Sequence, residues 1–294
     1  MMQKFVGTGV ALVTPFDDKL RVDFQGLGAL LDHIADSQVG YLVVHGTTGE
    51  AATTTPEEKK EVLAFIQAHN PKQLPIIWGM GGNNTQTVLE AMATTDLEDV
   101  DAVMVASPYY NRPSQEGIYE HYKVIADACP VPLLLYNVPA RTGSNIHAAT
   151  TLRLSTHPNI CGIKEASGEL VQCIEIAREK PDDFLLISGE DMLTLPILAI
   201  GGAGVISTVA NGLPQTMSRL VALGLQHNFK AAQPYAWSLL QPCNLISQGG
   251  NPVGTKQLLA ALDICHPYVR LPLVTAPTVL AQAMQAVIAK NRRK

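Results

Sequence analysis

Lys164 has the side chain and the position in the sequence that are most suited to a chemical reaction. It follows the apolar residues 160–163, which predict a buried strand, so its side chain should begin at the end of that strand. Burial disfavours an ammonium ion and favours the free amine, which can attack a carbonyl carbon. An ion pair with the adjacent Glu165 would explain the same position without any chemistry. From position alone, a nucleophilic lysine and a structural ion pair are equally good hypotheses.

Tyr136 and the turn at residues 46–50 favour the nucleophilic hypothesis. Tyr136 comes near the end of the preceding apolar run, and a phenol bonded to another hydroxyl can move protons to and from a carbinolamine. Thr47 and Thr48 lie in a glycine-flanked turn whose N–H groups suit a small carboxylate. A core tyrosine and an ordinary capped turn are the simpler explanations when each is taken alone. Because all these groups lie at or just after the ends of predicted strands, imine chemistry explains them better together.

Metal, serine-hydrolase and phosphate sites are poorly supported. The histidines show no H-x-x-H or H-E-x-x-H spacing, and His45 is better explained as a structural residue than as a ligand. No G-x-S-x-G elbow is present. The GMGG run at residues 79–82 lacks the spacing of a nucleotide-binding G-x-G-x-x-G loop, and a phosphate loop there is a minor alternative. Imine chemistry is the favoured kind of site.

Short apolar runs alternate with segments that carry helix signals. Helix starts are predicted after Thr55, with Pro56 and two acids in the first turn, and after Ser114. Nearly continuous Val, Ile and Leu is typical of strands buried on both faces of a parallel sheet. A closed (β/α)8 barrel and an open doubly wound sheet both fit, and the missing glycine motif after the first run favours the barrel. The runs are residues 10–14, 41–46, 75–80, 101–107, 132–137, 160–165, 184–188 and 204–207.

Only helices are predicted after residue 208. The first of them, at residues 212–225, completes the barrel, and three more follow at 228–247, 253–263 and 276–291. We therefore expect a catalytic barrel domain at residues 1–225. A C-terminal helical addition is expected at residues 226–294.

Composition excludes several classes of protein. Apolar residues make up 47% of the 294 residues and charged residues 16%, which suits a large core. Lys plus Arg total 21 against 26 Asp plus Glu, so no nucleic-acid partner is expected, and the basic tail at residues 290–294 is interpreted as a solvated helix end. No run approaches 18 apolar residues, which predicts no membrane association. Five scattered cysteines suit reduced thiols, and the start lacks a signal-peptide pattern, so a cytoplasmic protein is predicted.

Five motifs together resemble the pyruvate-dependent class I aldolases of the dihydrodipicolinate synthase and N-acetylneuraminate lyase superfamily. The resemblance extends from Gly9 to about Lys256 and implies a (β/α)8 barrel enzyme. The motifs are GTTGE at 46–50, SPYYNRPSQEG at 107–117, YNVPARTG at 136–143, GIKEASG at 162–168 and GGAGVIS at 201–207.

Arg141, within YNVPARTG, favours the dihydrodipicolinate synthase branch of that superfamily. The resemblance then implies condensation of pyruvate with L-aspartate 4-semialdehyde in diaminopimelate and lysine biosynthesis. Two alternatives stay open. One is another aldolase or dehydratase that acts on a keto-sugar acid or on N-acetylneuraminate, and the other is a barrel that binds metabolites without catalysis.

The resemblance implies catalytic roles for four residues. Lys164 forms the Schiff base with pyruvate, and its nitrogen serves as the electron sink, so neither a metal nor an organic cofactor is expected. Tyr136, Thr47 and Tyr110 form a relay of hydroxyl groups. Tyr110 is supplied by a neighbouring subunit across a dimer interface, and the implied assembly is a homotetramer.

Four further residues are implied to hold substrates. Thr48 binds the carboxylate of pyruvate, and Arg141 binds the carboxylate of the aldehyde substrate in bidentate fashion. Gly189 and Ile206 shape the pocket through backbone atoms.

Relatives that are inhibited by lysine imply an allosteric pocket beside Tyr109. Asn83 matches the asparagine of that pocket, whereas Thr87 replaces a glutamate and Lys59 replaces a histidine. Weak inhibition or none is therefore expected. Two other departures from the family pattern concern local geometry. Gly254 replaces a proline and is expected to loosen its loop, and Glu190 replaces an aspartate.

Overall fold

The computed structural model describes residues 2–291 and confirms the closed barrel. Eight parallel strands pair in sequence order, and β8 pairs with β1 to close the sheet. The open doubly wound alternative is wrong. The sequence predicts a solvated helix end at the basic tail. Most of this tail lies outside the described residues, namely Arg292, Arg293 and Lys294. The strands are β1 (Gly7–Ala11), β2 (Tyr41–Val44), β3 (Ile76–Gly81), β4 (Ala102–Ala106), β5 (Leu133–Asn137), β6 (Ile160–Glu165), β7 (Leu185–Ser188) and β8 (Gly204–Ser207).

Helices connect the strands and continue after the last one. Within residues 2–291, none of them is both long and apolar enough to cross a bilayer. The helices are α1 (Phe24–Ala35), α2 (Pro56–Ala68), α3 (Thr85–Thr94), α4 (Gln115–Ala128), α5 (Pro139–Thr142), α6 (Ala148–Leu154), α7 (Leu170–Glu179), α8 (Thr194–Ala199), α9 (Pro214–Leu225), α10 (Phe229–Gly249), α11 (Val253–Ala261) and α12 (Thr278–Asn291).

Both predicted helix starts are confirmed. Thr55 caps α2 in a capping box: its hydroxyl accepts the N–H of Glu58, and the Glu58 carboxylate accepts the N–H of Thr55. The hydroxyl of Ser114 accepts the N–H of Gly117 at the start of α4. Local side-chain chemistry thus determines where these helices begin.

The first predicted strand is wrong by three residues. The sequence favours residues 10–14, but β1 is Gly7–Ala11, and the apolar Leu12 and Val13 are buried in the loop that follows. Gly9 explains the difference, because a Cβ there would lie 2.1 Å from Cε2 of Tyr41 on β2. The missing side chain of Gly9 therefore leaves room for the Tyr41 ring inside the barrel. The pattern of apolar residues does not reveal that a strand begins at such a glycine.

The C-terminal helices pack on the barrel through α10, which contacts α9. The expectation that Gly254 loosens a loop is wrong, because Gly254 is buried within α11. A Cβ at this position would lie 2.3 Å from the backbone oxygen of Ile246 in α10. The glycine therefore permits close helix packing. The domain boundary at residue 225, where α9 ends, stays a prediction.

Candidate active site

Lys164 and Tyr136 lie side by side at the carboxyl end of the barrel. They are paired residues of the parallel strands β5 and β6, and both are almost completely buried. The ammonium nitrogen of Lys164 is 4.3 Å from the centroid of the Tyr136 ring. The structure thus brings together the amine and the phenol, as the sequence predicts. The carboxyl ends of barrel strands are where active sites of this fold form.

The ion-pair alternative for Lys164 finds no support in the described residues. Glu165 follows Lys164 on β6, so its side chain lies on the opposite face of the strand. Its carboxylate accepts hydrogen bonds from the side chain of Asn137 at 2.9 and 3.1 Å, from the N–H of Ser167 at 2.7 Å and from Gln172 at 2.9 Å. Within residues 2–291, no ion pair joins it to Lys164.

The turn that carries Thr47 and Thr48 forms a short 3-10 helix, Thr47–Gly49. Thr48 is buried, and Thr47 is half-buried. Gly79 on β3 lets the turn approach the barrel, because a Cβ there would lie 2.5 Å from the backbone oxygen of His45. The GMGG run therefore ends a strand and makes room for the turn. The phosphate-loop alternative is not supported by this placement.

A buried ion pair fixes the same turn from outside. Glu50 directly follows the 3-10 helix, and its Oε1 lies 2.5 Å from Nζ of Lys256 in α11. Nζ of Lys256 also donates to the backbone oxygen of Tyr268 at 2.8 Å and lies 3.9 Å from the centroid of the Phe16 ring. Sequence reasoning missed this pair. The available signal was a lysine within the otherwise uncharged segment of α11.

Asn251 links the turn to Arg141. Its side-chain amide donates to Oγ1 of Thr48 at 2.9 Å, and its backbone oxygen accepts from Nη2 of Arg141 at 3.0 Å. Asn251 precedes α11, so the C-terminal helical region reaches the barrel mouth. Thr47, Tyr136, Arg141 and Asn251 line one cavity of about 880 Å³. This volume is within the range of pockets that bind small molecules.

Gly189 lies next to Lys164, whereas Ile206 is a core residue of the barrel. The N–H of Gly189 donates to the backbone oxygen of Glu165 at 2.7 Å, and a Cβ on Gly189 would lie 3.1 Å from Cγ of Lys164. Ile206, on β8, is buried in the barrel interior. Glu190 is an exposed residue, but partial desolvation of its carboxyl group and the charge of Asp191 raise the pKa of that group.

Several predicted residues do not line this cavity, and Lys164 and Thr48 are among them. Tyr110 is 88% exposed and has a positive φ of 71°. Its side chain therefore does not lie beside that of Lys164 within one copy of the chain. Tyr109 and Lys59 line the cavity, and burial lowers the pKa of the Lys59 ammonium group. Thr87 is exposed on α3. The backbone oxygen of Asn83 accepts from the side chain of Asn111 at 2.8 Å.

Known proteins resemble this chain in sequence and in fold. The model of the dihydrodipicolinate synthetase family matches residues 4–291. The chain belongs to this family. Members of the dihydrodipicolinate synthetase family include the 4-hydroxy-tetrahydrodipicolinate synthase of Flavobacterium psychrophilum, which is 47% identical over 93% of this chain and 94% of that protein. The synthase of Cytophaga hutchinsonii is 44% identical over 100% and 99% of the two chains. The crystal structure of dihydrodipicolinate synthase from Aquifex aeolicus has a TM-score of 0.93, 32% identity and 98% coverage of both chains.

Proposed function

We propose that the chain condenses pyruvate with L-aspartate 4-semialdehyde to give 4-hydroxy-tetrahydrodipicolinate, through a Schiff base on Lys164. The observation that carries the proposal is the buried Lys164 amine, which lies against the Tyr136 ring at the mouth of the barrel. Relatives that match along nearly the whole chain are named for this activity. The reaction would serve diaminopimelate and lysine biosynthesis, and the cytoplasmic location stays a prediction.

The chemistry begins with attack of the Lys164 amine on C2 of pyruvate. Loss of water from the resulting carbinolamine gives an imine, and loss of a C3 proton gives an enamine. The enamine carbon attacks the aldehyde carbon of the second substrate. The amino group of that substrate then attacks the imine carbon, closes the ring and releases the free lysine. The lysine nitrogen accepts the electrons, so these steps require neither a metal nor an organic cofactor.

The surrounding residues supply binding and proton transfer in this proposal. Thr48 and the N–H groups of its turn hold the pyruvate carboxylate. Tyr136 moves protons at the carbinolamine, with Thr47 as its hydroxyl partner. Arg141 meets the carboxylate of the aldehyde substrate, and Asn251 supports this arginine on the side of the turn.

A second copy of the chain would complete the relay with Tyr110. Support comes from large exposed side chains near the cavity. Tyr109 and Tyr110 are both exposed. Tyr109, Pro272 and Leu273 line the cavity. Their neighbours Leu271 and Val274 are also exposed. An exposed apolar surface of this kind is typical of a protein interface. We therefore propose a dimer that exchanges Tyr110, with two dimers forming a homotetramer.

The experiment that tests the function is a coupled assay with two substrate sets. The purified chain is supplied with pyruvate and L-aspartate 4-semialdehyde, and cyclic product is followed through its reduction by an excess of the next enzyme. A parallel assay supplies N-acetylneuraminate and measures release of pyruvate. Turnover in the first assay alone supports the proposal. Turnover only in the second would favour the lyase alternative.

Arg141→Ala should impair use of the aldehyde substrate without preventing imine formation with pyruvate. A charge-assisted contact with a carboxylate contributes about 1.5–3 kcal/mol, so kcat/KM for aspartate semialdehyde should fall about ten- to a hundredfold. Borohydride trapping with pyruvate measures the first step separately. The matched control is Arg178→Ala, which removes an exposed arginine on α7. Equal losses of trapping and turnover in Arg141→Ala would show that this arginine does not select the second substrate.

L-Lysine is expected to inhibit this enzyme weakly or not at all. Replacement of an anionic acceptor by the neutral Thr87 removes a charge-assisted bond, which corresponds to at least about tenfold weaker binding. Lys59 adds a like charge to the cavity that Tyr109 lines. Titration of L-lysine into the coupled assay measures the effect. Half-inhibition well below the millimolar range would contradict this prediction, and Lys59→His is then the variant that tests the like-charge argument.

A further inference from the structure

A cluster of buried and partly buried amide and carboxyl groups lies directly behind the reacting side chains. It consists of Asn137, Asn145, Glu165 and Gln172, and we refer to it as the amide cluster. Asn137 is fully buried, and Glu165 is 2% exposed. Besides its bonds to Glu165, the Asn137 amide donates to Oδ1 of Asn145 at 2.7 Å, and Asn145 donates to Oε1 of Gln172 at 2.7 Å. The four side chains thus form one connected network.

The pattern of donors requires a carboxylate at position 165. Glu165 accepts all its side-chain hydrogen bonds from neutral donors: the amides of Asn137 and Gln172 and the N–H of Ser167. A buried carboxylate is stable only where such bonds replace its hydration. An amide at position 165 would direct its own NH₂ group at these donors. The cluster is therefore specific in both charge and orientation.

The cluster occupies the reverse side of the strand ends that carry the proposed catalytic pair. Asn137 follows Tyr136 on β5, and Glu165 follows Lys164 on β6, so each pair of neighbours has side chains on opposite faces. The register of β5 and β6 shifts between Leu133 and Leu134, near the start of the two strands. Backbone pairing is thus irregular at that end. From Leu134 to Asn137 the pairing is regular, and the bonds between Asn137 and Glu165 add a side-chain link to it at the reacting end.

The same bonds extend to the other parts of the site. Oδ1 of Asn137 accepts the N–H of Ile146 at 3.0 Å, which ties the segment after α5 to β5. The helix α5 carries Arg141. The backbone oxygen of Glu165 accepts the N–H of Gly189 on the next strand connection. Displacement of Glu165 would therefore change the position of Lys164 relative to Tyr136.

We propose that Glu165 and Asn137 are positioning residues that hold Lys164 and Tyr136 in reacting register, without contact to substrate. The inference rests on the proposed Schiff-base function. Because Thr48 and its turn lie on a different strand connection, loss of the cluster should slow imine formation and leave the half-saturating pyruvate concentration nearly unchanged. A misplacement of about 1 Å is sufficient to slow a reaction by about a hundredfold.

The test compares the variants Glu165→Gln, Gln172→Glu and the double exchange of both. Each is mixed with pyruvate in excess, quenched with borohydride at a series of times and analysed by intact mass, which gives the rate constant of imine formation. Glu165→Gln should lower this rate constant about ten- to a hundredfold at saturating pyruvate. The double exchange restores a donor opposite an acceptor between positions 165 and 172, while Asn137 and the N–H of Ser167 still face an amide, so it should recover part of the rate. A merely structural residue would lower the thermal midpoint without changing the rate constant.

Asn159→Ala is the matched control. Asn159 is a partly buried amide immediately before β6, at the opposite end of the barrel, and it donates to the backbone oxygens of Ala126 and Cys129. It should lower the thermal midpoint and leave the rate constant unchanged. If Glu165→Gln does not fold, Gln172→Ala removes one bond from the carboxylate and should slow imine formation to a smaller extent.

The outcomes are distinct. The inference is overturned if folded Glu165→Gln has the wild-type rate constant. If that variant does not fold, a wild-type rate constant in Gln172→Ala overturns it. A folded double exchange that recovers none of the rate also overturns it. Absence of any adduct on the unchanged chain would instead contradict the proposed function itself.

Discussion

Lys164→Ala is expected to form no borohydride-stable adduct with pyruvate, whereas the unchanged chain gains a single adduct that maps to Lys164. Without the amine no imine and no enamine can form, so turnover should fall on the order of a thousandfold or more. Intact-mass measurement after reduction, followed by peptide mapping, decides the position of the adduct. The same samples in the coupled assay give the loss of turnover.

Lys60→Ala is the control for this experiment. Lys60 is exposed and lines the cavity that Tyr136 also lines, so its loss tests whether another lysine can react. The variant should keep both the adduct and the turnover. An adduct on another lysine, or an adduct retained in Lys164→Ala, would contradict the imine mechanism. Because Lys164 is buried beside Tyr136, circular dichroism of the alanine variant should be recorded to show that the barrel is intact.

The elements predicted most completely from the sequence are those whose bounds depend only on nearby residues. The run at residues 160–165 is predicted as a strand with the bounds that β6 has, because every residue in it is buried and a sheet covered on both faces needs no alternation. The start of α2 is predicted at Thr55 because capping is a local interaction between residues three apart. Neither prediction requires knowledge of a distant part of the chain.

Errors occur where a distant residue decides the local structure. The first strand is misplaced because the need for Gly9 arises from the ring of Tyr41 on the next strand. Gly254 is misinterpreted because the backbone of Ile246, in another helix, requires its missing side chain. In both cases a glycine indicates close packing against a neighbour that the sequence does not identify.

In the candidate site, too, local patterns were predicted and long-range contacts were not. Lys164 and Tyr136 are predicted because reactive side chains at the ends of apolar runs are unusual, and the barrel brings such ends together. The partners that hold the site were missed. Asn251 bonds Thr48 across 203 residues of sequence, and Lys256 reaches Glu50 from the C-terminal helical region. Their chemistry is ordinary, and only the fold gives them neighbours.

Lys256→Met is expected to lower the free energy of unfolding by about 3–5 kcal/mol, because it leaves the carboxylate of Glu50 buried without its cation. Both side chains of the pair are at most 2% exposed. The variant also removes the hydrogen bond from Nζ to the backbone oxygen of Tyr268. Urea denaturation at one fixed protein concentration measures the change, since the concentration affects the stability of an oligomer.

The double variant Glu50→Gln with Lys256→Met separates a buried charge from lost packing. It removes both charges of the pair, and the glutamine can still accept the N–H of Arg270 that Glu50 accepts at 3.0 Å. It should therefore be more stable than Lys256→Met alone, with a coupling of about 0.5–3 kcal/mol between the two positions.

Lys123→Met is the matched control for the buried pair. Lys123 pairs with Asp127 at 3.2 Å on an exposed helix face, and loss of such a pair costs below about 1 kcal/mol. A loss in Lys256→Met no larger than that of the control would contradict the buried-pair argument. The turn of Thr47 and Thr48 immediately precedes Glu50, so KM for pyruvate should rise in Lys256→Met. A variant that loses stability but keeps the wild-type KM would show that the pair supports the fold without positioning this turn.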